Sequence, residues 1–211
     1  MKIMVGDTRS RKNIALLKAW GWGRMFATRP ATPYEFEPWG FDNGAYVAWT
    51  RGESFPADQF LRRLDAAEKV NSDPIIAVVP DIVAGGRNSL EFSLGWRLQL
   101  RNSWPWYLAV QDGMSTAEVS EVLHFFCGIF LGGTDKFKLT AQRWSDLAHG
   151  CGRKFHYGRA GTLRKLQHAH AVEADSCDSN FPLWTCERMD MFKRHDEAIR
   201  SKEQCELTFT S

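Results

Sequence analysis

The sequence predicts an α/β protein built as one compact (β/α)8 barrel of the TIM type, on three observations. Eight short apolar runs alternate with stretches of helical period. Polar residues and glycines gather just past the end of most of those runs, as they do at the C-terminal mouth of a parallel barrel. The length of 211 residues lies near the lower limit for this fold, ~200 residues, and is short for two domains, so residues 1–211 read as a single domain. An open doubly wound sheet is the other arrangement this alternation allows.

The first run, 3–5, closes on Gly6-Asp7, and Ser10 or Arg9 leads into a helix carrying Ile14, Leu17 and Trp20 that Gly21 and Gly23 end. A second run over 25–28 is followed by Pro30, Pro33 and Pro38 with no helical period, so the usual helix is expected to be missing there. The third run, 39–41, enters Asp42-Asn43-Gly44-Ala45. Pro56 then opens a helix through Phe60, Leu61, Leu64, Ala67 and Val70. The run 75–79 is apolar on both faces, as a strand covered by helices is, and ends on Pro80-Asp81. A helix over 89–100 follows Gly85-Gly86, and the run 107–110 ends on Gln111-Asp112-Gly113. A helix over 116–126, with Glu118 in its first turn, leads to the run 128–131 and the pair Gly132-Gly133. After a helix over 140–149, the run 155–157 turns at Gly158 and Gly161 into a helix capped by Thr162, with Leu163, Leu166, Ala169 and Val172 on one face. A last run delivers Asp175 and Asp178 to a strand end, and the tail beyond Pro182 closes as a helix.

The formal net charge of +2 lacks the basicity of a histone-like binder, while leaving room for local basic clusters. Nine Trp and fourteen Phe imply a large core, with aromatic surfaces for bases as their other use. The five cysteines (127, 151, 177, 186, 205) form no close pair and are odd in number, which fits free thiols in a reducing cytosol. The start has only a short apolar run after Lys2, so neither a secretory signal nor a membrane span is expected, and a soluble cytoplasmic protein is.

Six strand ends, taken in order, resemble motifs of the queuine-type tRNA-guanine transglycosylases. Asp42-Asn43-Gly44-Ala45-Tyr46 is similar to that family's Asp-Ser-Gly-Gly-Phe, and Pro80-Asp81 falls where it places a base-reading aspartate. Gln111-Asp112-Gly113 is similar to its Gln-Gly-Gly, and Gly132-Gly133 to its paired glycines. His156-Tyr157-Gly158-Arg159-Ala160-Gly161 resembles its His-Tyr-Leu-Met-Gly-Val-Gly, and Asp175-Ser176-Cys177-Asp178-Ser179 its Asp-Met-Phe-Asp-Cys. The likeness runs from about residue 41 to 182; the segment Thr134-Asp135-Lys136-Phe137-Lys138 departs from it. The family's zinc signature is absent as well, since Cys186 and Cys205 stand alone and are too few for a structural zinc site. No zinc subdomain and no cofactor are therefore expected. A compact, zinc-free chain is more similar to the deazapurine DNA modification family, often encoded by phages, whose members exchange guanine in DNA for a 7-deazaguanine such as preQ0.

The resemblance implies a base-exchange glycosyltransferase with Asp178 as nucleophile and Asp42 as general acid and base. It implies that Asp81 reads the guanine edge, that Gln111 and the backbone N–H of Gly133 meet O6, that Tyr46 or Phe41 stacks on the base, and that Gly132 and His156 also lie at the base. Lys136, Lys138 and Arg159, with Arg153, Lys154 and Arg164, are candidate phosphate contacts. The implied partners are DNA presenting a flipped or single-stranded guanine and a free 7-deazaguanine base, with a second copy or a partner subunit in place of the missing docking subdomain, and no membrane. The same carboxylates would serve a nucleoside or nucleotide glycosidase, and a degenerate barrel would bind nucleotide without chemistry. By residue type alone, Asp42 also suits an Asx-turn, Asp178 a cap, His156 a buried hydrogen-bonded histidine, and the basic residues an ordinary solvated face.

Overall fold

A computed structural model of the chain describes residues 1–100 and 103–209, with side chains through residue 201, so Cys205 lies outside the described side chains. Eight parallel strands close in sequence order into a barrel. They are β1 (Lys2–Gly6), β2 (Gly23–Phe26), β3 (Gly40–Phe41), β4 (Ile76–Val78), β5 (Trp106–Val110), β6 (Gly128–Leu131), β7 (Lys154–Tyr157) and β8 (Ser176–Ser179), with β8 pairing back onto β1. Each of the eight apolar runs is one strand of this (β/α)8 barrel. The second begins two residues earlier than expected, because Gly21 ends the preceding helix in the left-handed conformation and the chain extends at once.

The helices are α1 (Arg11–Trp20), α2 (Ala45–Thr50), α3 (Ala57–Ala67), α4 (Gly86–Gln99), α5 (Thr116–Val122), α6 (Asp135–Lys138), α7 (Ala141–Gly150), α8 (Leu163–Ala171) and α9 (Cys186–Phe209). Their starts follow the expected chemistry. Ser10 and Thr162 accept backbone N–H bonds at α1 and α8, and Ser115 with Glu118 forms a reciprocal capping box at α5. The sequence reading did not anticipate α2 and α6, which are too short for a hydrophobic period to show. No described helix is long and apolar enough to cross a membrane.

Side-chain alternation divides the core in two. Met4, Met25, Ile76, Val78, Tyr107, Ala109 and Phe130 fill the barrel, while their neighbours of opposite parity, such as Ile3, Phe26, Ala77, Leu108 and Ile129, pack outward under the helices. The interior is tight enough that two strands need glycine. A methyl on Gly128 would lie 2.4 Å from the Tyr107 ring and 2.5 Å from the Lys154 carbonyl, and one on Gly40 would lie 2.6 Å from the Met25 sulfur. Most of the tryptophans go into the outer core, where Trp39, Trp104 and Trp106 interlock with Phe41 and Phe60.

No helix connects β2 to β3. The Pro-rich segment between them is held instead by a buried ion pair, in which Arg24 donates from Nε and Nη2 to the two oxygens of Glu37, both at 2.8 Å. Arg24 also donates to the carbonyls of Thr8 (3.0 Å) and Thr32 (2.6 Å), and Glu37 accepts the Tyr34 N–H (2.8 Å). At the chain's end, α9 is tied to the barrel by Asp196, a buried carboxylate that accepts from the Trp22 indole (2.9 Å) and from Arg200 (2.8 Å).

Breaking a buried pair leaves its other charge uncompensated. Glu37→Ala is therefore expected to cost about 3–5 kcal/mol in urea unfolding, whereas Glu91→Ala, which removes the exposed Arg87–Glu91 pair, should cost less than about 1 kcal/mol.

Candidate active site

Parity carries two acids into the barrel's C-terminal mouth. Gly40 and Ser176 point inward, so Asp42 and Asp178, each two residues further on, point inward one layer higher. Asp178 Oδ1 accepts from the His156 imidazole Nε2 (3.0 Å) and from the backbone N–H of Arg159 (2.9 Å). His156 is fully buried, its Nδ1 bonded to Ser176 Oγ at 2.7 Å and its ring stacked on Phe130 at 4.8 Å, so the imidazole is fixed on every side. Burial by itself would raise the Asp178 carboxyl, but the His156 bond, the Arg159 N–H and the nearby Lys138 outweigh it and hold the group below its ordinary value. Asp42 goes the other way. Burial pushes it up and the field of Asp178 adds to this, against the Gly44 N–H (2.7 Å), Arg63 and His156. The turn it makes with Gly44 is the Asx-turn its residue type suits, and the same carboxyl faces the shared mouth.

A third acid, Asp81, sits in a fully satisfied cradle. Asn43 Nδ2 donates to its Oδ1 at 2.7 Å and Gln111 Nε2 to its Oδ2 at 2.5 Å. Neither amide can turn over, because Asn43 Oδ1 accepts the Ala45 N–H (2.8 Å) and Gln111 Oε1 the Ala84 N–H (2.6 Å). Their second hydrogens go to the Val79 carbonyl and to Ser89 Oγ. Gln111 thus holds Asp81 and has no free donor for a ligand, which corrects its expected place against O6. Burial raises the Asp81 carboxyl to about 7, against the Asn43 and Gln111 bonds.

Asp42, Asp81, Gln111, Phe130, Gly132 and Gly133 line one small cavity of about 50 Å³, with Tyr46 and Arg159. Asp178 lies beside it in the barrel wall, reaching Asp42 through its field. Gly132 uses its N–H in the sheet, on the Val110 carbonyl, whereas the N–H of Gly133 has no partner among the described residues. Gly133 must be glycine, since φ is +70° and a methyl would lie 2.6 Å from Phe137. Two of the lining residues form a strap. The Arg159 guanidinium lies 4.1 Å over the Tyr46 ring and donates to the Gly133 carbonyl at 2.5 Å. Beyond the strap a second chamber of about 260 Å³ is lined by Trp49, Asp112 and Thr134, with Tyr46 and Arg159 shared.

Several expected placements change. Phe41 has outward parity and is packed among Phe60, Trp104 and Trp106, so it cannot stack on a ligand in the mouth; Tyr46, 41% exposed, lies at the rim. Asp175 precedes β8 and lies at the opposite end of the barrel, bonded to Lys154 (2.7 Å), His149 (3.0 Å) and the Phe155 N–H. Arg153 and Lys154, at the start of β7, share that far end and cannot meet a phosphate at the mouth. Lys138 is no surface cation. Only 2% exposed, it donates to the carbonyls of Leu131 and Gly158 and lies 5.0 Å over the Tyr157 ring, and burial lowers its ammonium to about 7. Arg159 is engaged in the strap, while Lys136 and Arg164 are exposed near the mouth.

Sequence reasoning missed Arg63, whose Nη2 ties the carbonyls of Phe26 and Asp42 together, each at 2.8 Å, and so fixes the chain at the first acid. The signal was available, because Arg63 lies on the apolar stripe of Phe60, Leu64 and Ala67, where a cation needs a buried partner. Among the described residues no group of three or more His, Cys, Asp or Glu side chains is placed to hold a metal ion. Compared with models of known families and with curated proteins, the chain matches none.

Asp81 and Asp178 are shifted in opposite directions and so titrate in different windows. Asp81 binds its proton up to about pH 7 when folded but only to about pH 4 when unfolded. Its contribution to stability is therefore full below that lower value and is lost as pH rises through 7, a fall on the order of a few kcal/mol. Asp178, held low, contributes stability that is lost only as pH falls below the ordinary carboxylate range. Urea unfolding between about pH 4 and 8 should show a decline that Asp81→Asn reduces, leaving the share of the raised Asp42, and that Asp178→Asn does not abolish.

Proposed function

We propose that the protein is a DNA-guanine transglycosylase of the cytosol, exchanging guanine for a 7-deazaguanine base such as preQ0 through a covalent aspartyl-glycosyl intermediate. The observation that carries this reading is the pair of inward acids at one mouth with acidities driven apart, Asp178 down and Asp42 up. Two titratable groups separated in this way divide into a nucleophile and a proton carrier. The same two residues stand in the positions that the resemblance to transglycosylases assigns to those roles.

In the first half-reaction an Asp178 oxygen attacks C1′ of the nucleoside. The bond from C1′ to the base nitrogen breaks, its electron pair leaves with guanine, and neutral Asp42 gives that base a proton. In the second, the ionised Asp42 removes the ring N–H proton of the incoming 7-deazaguanine. The freed nitrogen attacks C1′ and releases Asp178, so two inversions preserve the configuration. His156 and the Arg159 N–H bond to Asp178, keeping it ionised and aimed. Asp81, facing the cavity from its cradle of fixed amides, suits the N1–H and N2–H₂ donors of guanine, and the unpartnered Gly133 N–H suits O6. DNA is favoured over tRNA because the resemblance is to the compact family without a zinc subdomain, and a second copy or partner subunit would supply further grip on the strand.

The test is exchange of labelled guanine in DNA, with and without preQ0, followed by mass spectrometry of the nucleosides. Wild-type protein should insert the deazapurine. Asp178→Asn should reduce insertion at least ~10³-fold while remaining folded, consistent with loss of a covalent nucleophile. Guanine released without any incoming base would make the protein a hydrolase on the same acids, and insertion by Asp178→Asn would refute the covalent mechanism.

A further inference from the structure

A groove of about 680 Å³ runs along the outside of the barrel between α6 and the start of α8. These helices follow β6 and β7, so the groove opens at the same end as Asp178. Its walls carry Lys136, Arg164 and Lys165, its floor Lys138 and Tyr157, and its one carboxylate is Asp135. Three cations at the walls, Lys136, Arg164 and Lys165, against one acid is a local excess of +2, equal to the formal charge carried by the whole chain. Lys165 is paired with Asp135 at 2.7 Å. The side chains of Lys136 and Arg164 make no hydrogen bond or ion pair among the described residues.

The backbone adds to this field. Thr162 satisfies the Lys165 N–H through its side chain and the Leu166 N–H through its carbonyl, which leaves the amides of Leu163 and Arg164 without partners at the positive end of α8. Free cations, free amides and an open concave volume define a site for phosphate oxygens. The volume lies within the range of cavities that hold whole organic ligands, about 300–1,000 Å³, and is far more than one phosphate fills. The wall between groove and mouth is thin: Lys138 donates to the carbonyl of Gly158, and the next residue, Arg159, donates its N–H to Asp178.

We infer that this groove binds the phosphodiester backbone of a nucleic-acid strand immediately beside the nucleotide presented to the mouth. The inference rests on the reading of the mouth as a nucleoside site for the direction of the strand, and the cations themselves are independent of it. Lys136, Arg164 and Lys165 contact phosphates, Lys138 holds the groove's floor against Gly158, and Asp135 restrains Lys165 until a phosphate replaces it.

Binding of a short labelled single-stranded oligonucleotide to the full chain, measured by fluorescence anisotropy from about 50 to about 200 mM salt, tests this. Replacing Lys136, Arg164 and Lys165 together by Ala should weaken binding at least ~10-fold and flatten the slope of log K against log salt by roughly 2, the loss of about three phosphate contacts on a single strand. Asp135→Asn should tighten binding severalfold. A control of equal charge change on the exposed faces near α1 and α3 (Lys18, Arg62 and Lys69 to Ala) should do little; an equal loss there would reduce the effect to overall charge and overturn the site. Unchanged binding in the groove variant would do the same. Inorganic phosphate that displaces the strand at matched ionic strength, where chloride does not, would show a single-phosphate pocket and overturn the strand assignment. Groove-dependent binding without base exchange would sink the transglycosylase reading and leave the groove standing; base exchange with groove-independent binding would do the reverse.

Discussion

The bond from His156 to Asp178 is the constraint on which the mouth of this barrel depends. A carboxylate in a barrel wall loses its water, and remains charged only if fixed donors replace that water. His156 can serve because it is immobile, gripped by Ser176 below and by the face of Phe130 beside it. The second donor, the Arg159 N–H, comes from a residue at a positive φ of 53°, a backbone state that directs the amide to Asp178. Once Asp178 is held charged, its field reaches Asp42 and pushes that acid toward its neutral form. The opposite acidities of the two acids thus trace in large part to one imidazole and one peptide group.

Asp81 obeys a different logic. Burial, with the nearby Asp42 charge, raises it past what the amides and Arg159 can offset, and its cradle is made of amides whose orientations are locked by backbone N–H groups. A network in which every donor has one destination cannot rearrange without leaving a buried polar atom unmet. Asn43 and Gln111 therefore give Asp81 a fixed direction, in a site where the carboxyl's charge can change near neutrality.

The barrel was legible in the sequence because each strand is a short apolar run and several helix starts carry a side-chain cap, as at Ser10, Ser115 and Thr162. The acids of the mouth were legible for the same reason, since they stand just beyond those runs. What misled was the other flank. Asp175 and Lys154 are as close to their strands as Asp178 is to its own, but they stand at the beginning, and a four-residue strand does not announce its direction to its polar neighbours. Phe41 could have been placed by counting, because it alternates with Asp42 and must face away when Asp42 faces in. Lys138 could not. It lies in a helix of four residues, too short to show a buried face, and its burial depends on carbonyls at the ends of β6 and β7, twenty-odd residues apart in the chain, that only tertiary pairing brings together.

The strap of Arg159 over Tyr46 is shared by two cavities, one of about 50 Å³ beside the acids and one of about 260 Å³ further out. Under the exchange reading proposed above, water and a second base would compete for one carbon of a sugar held as an ester on Asp178. A guanidinium resting on a ring that both cavities share as a wall would then bear on fidelity more than on speed.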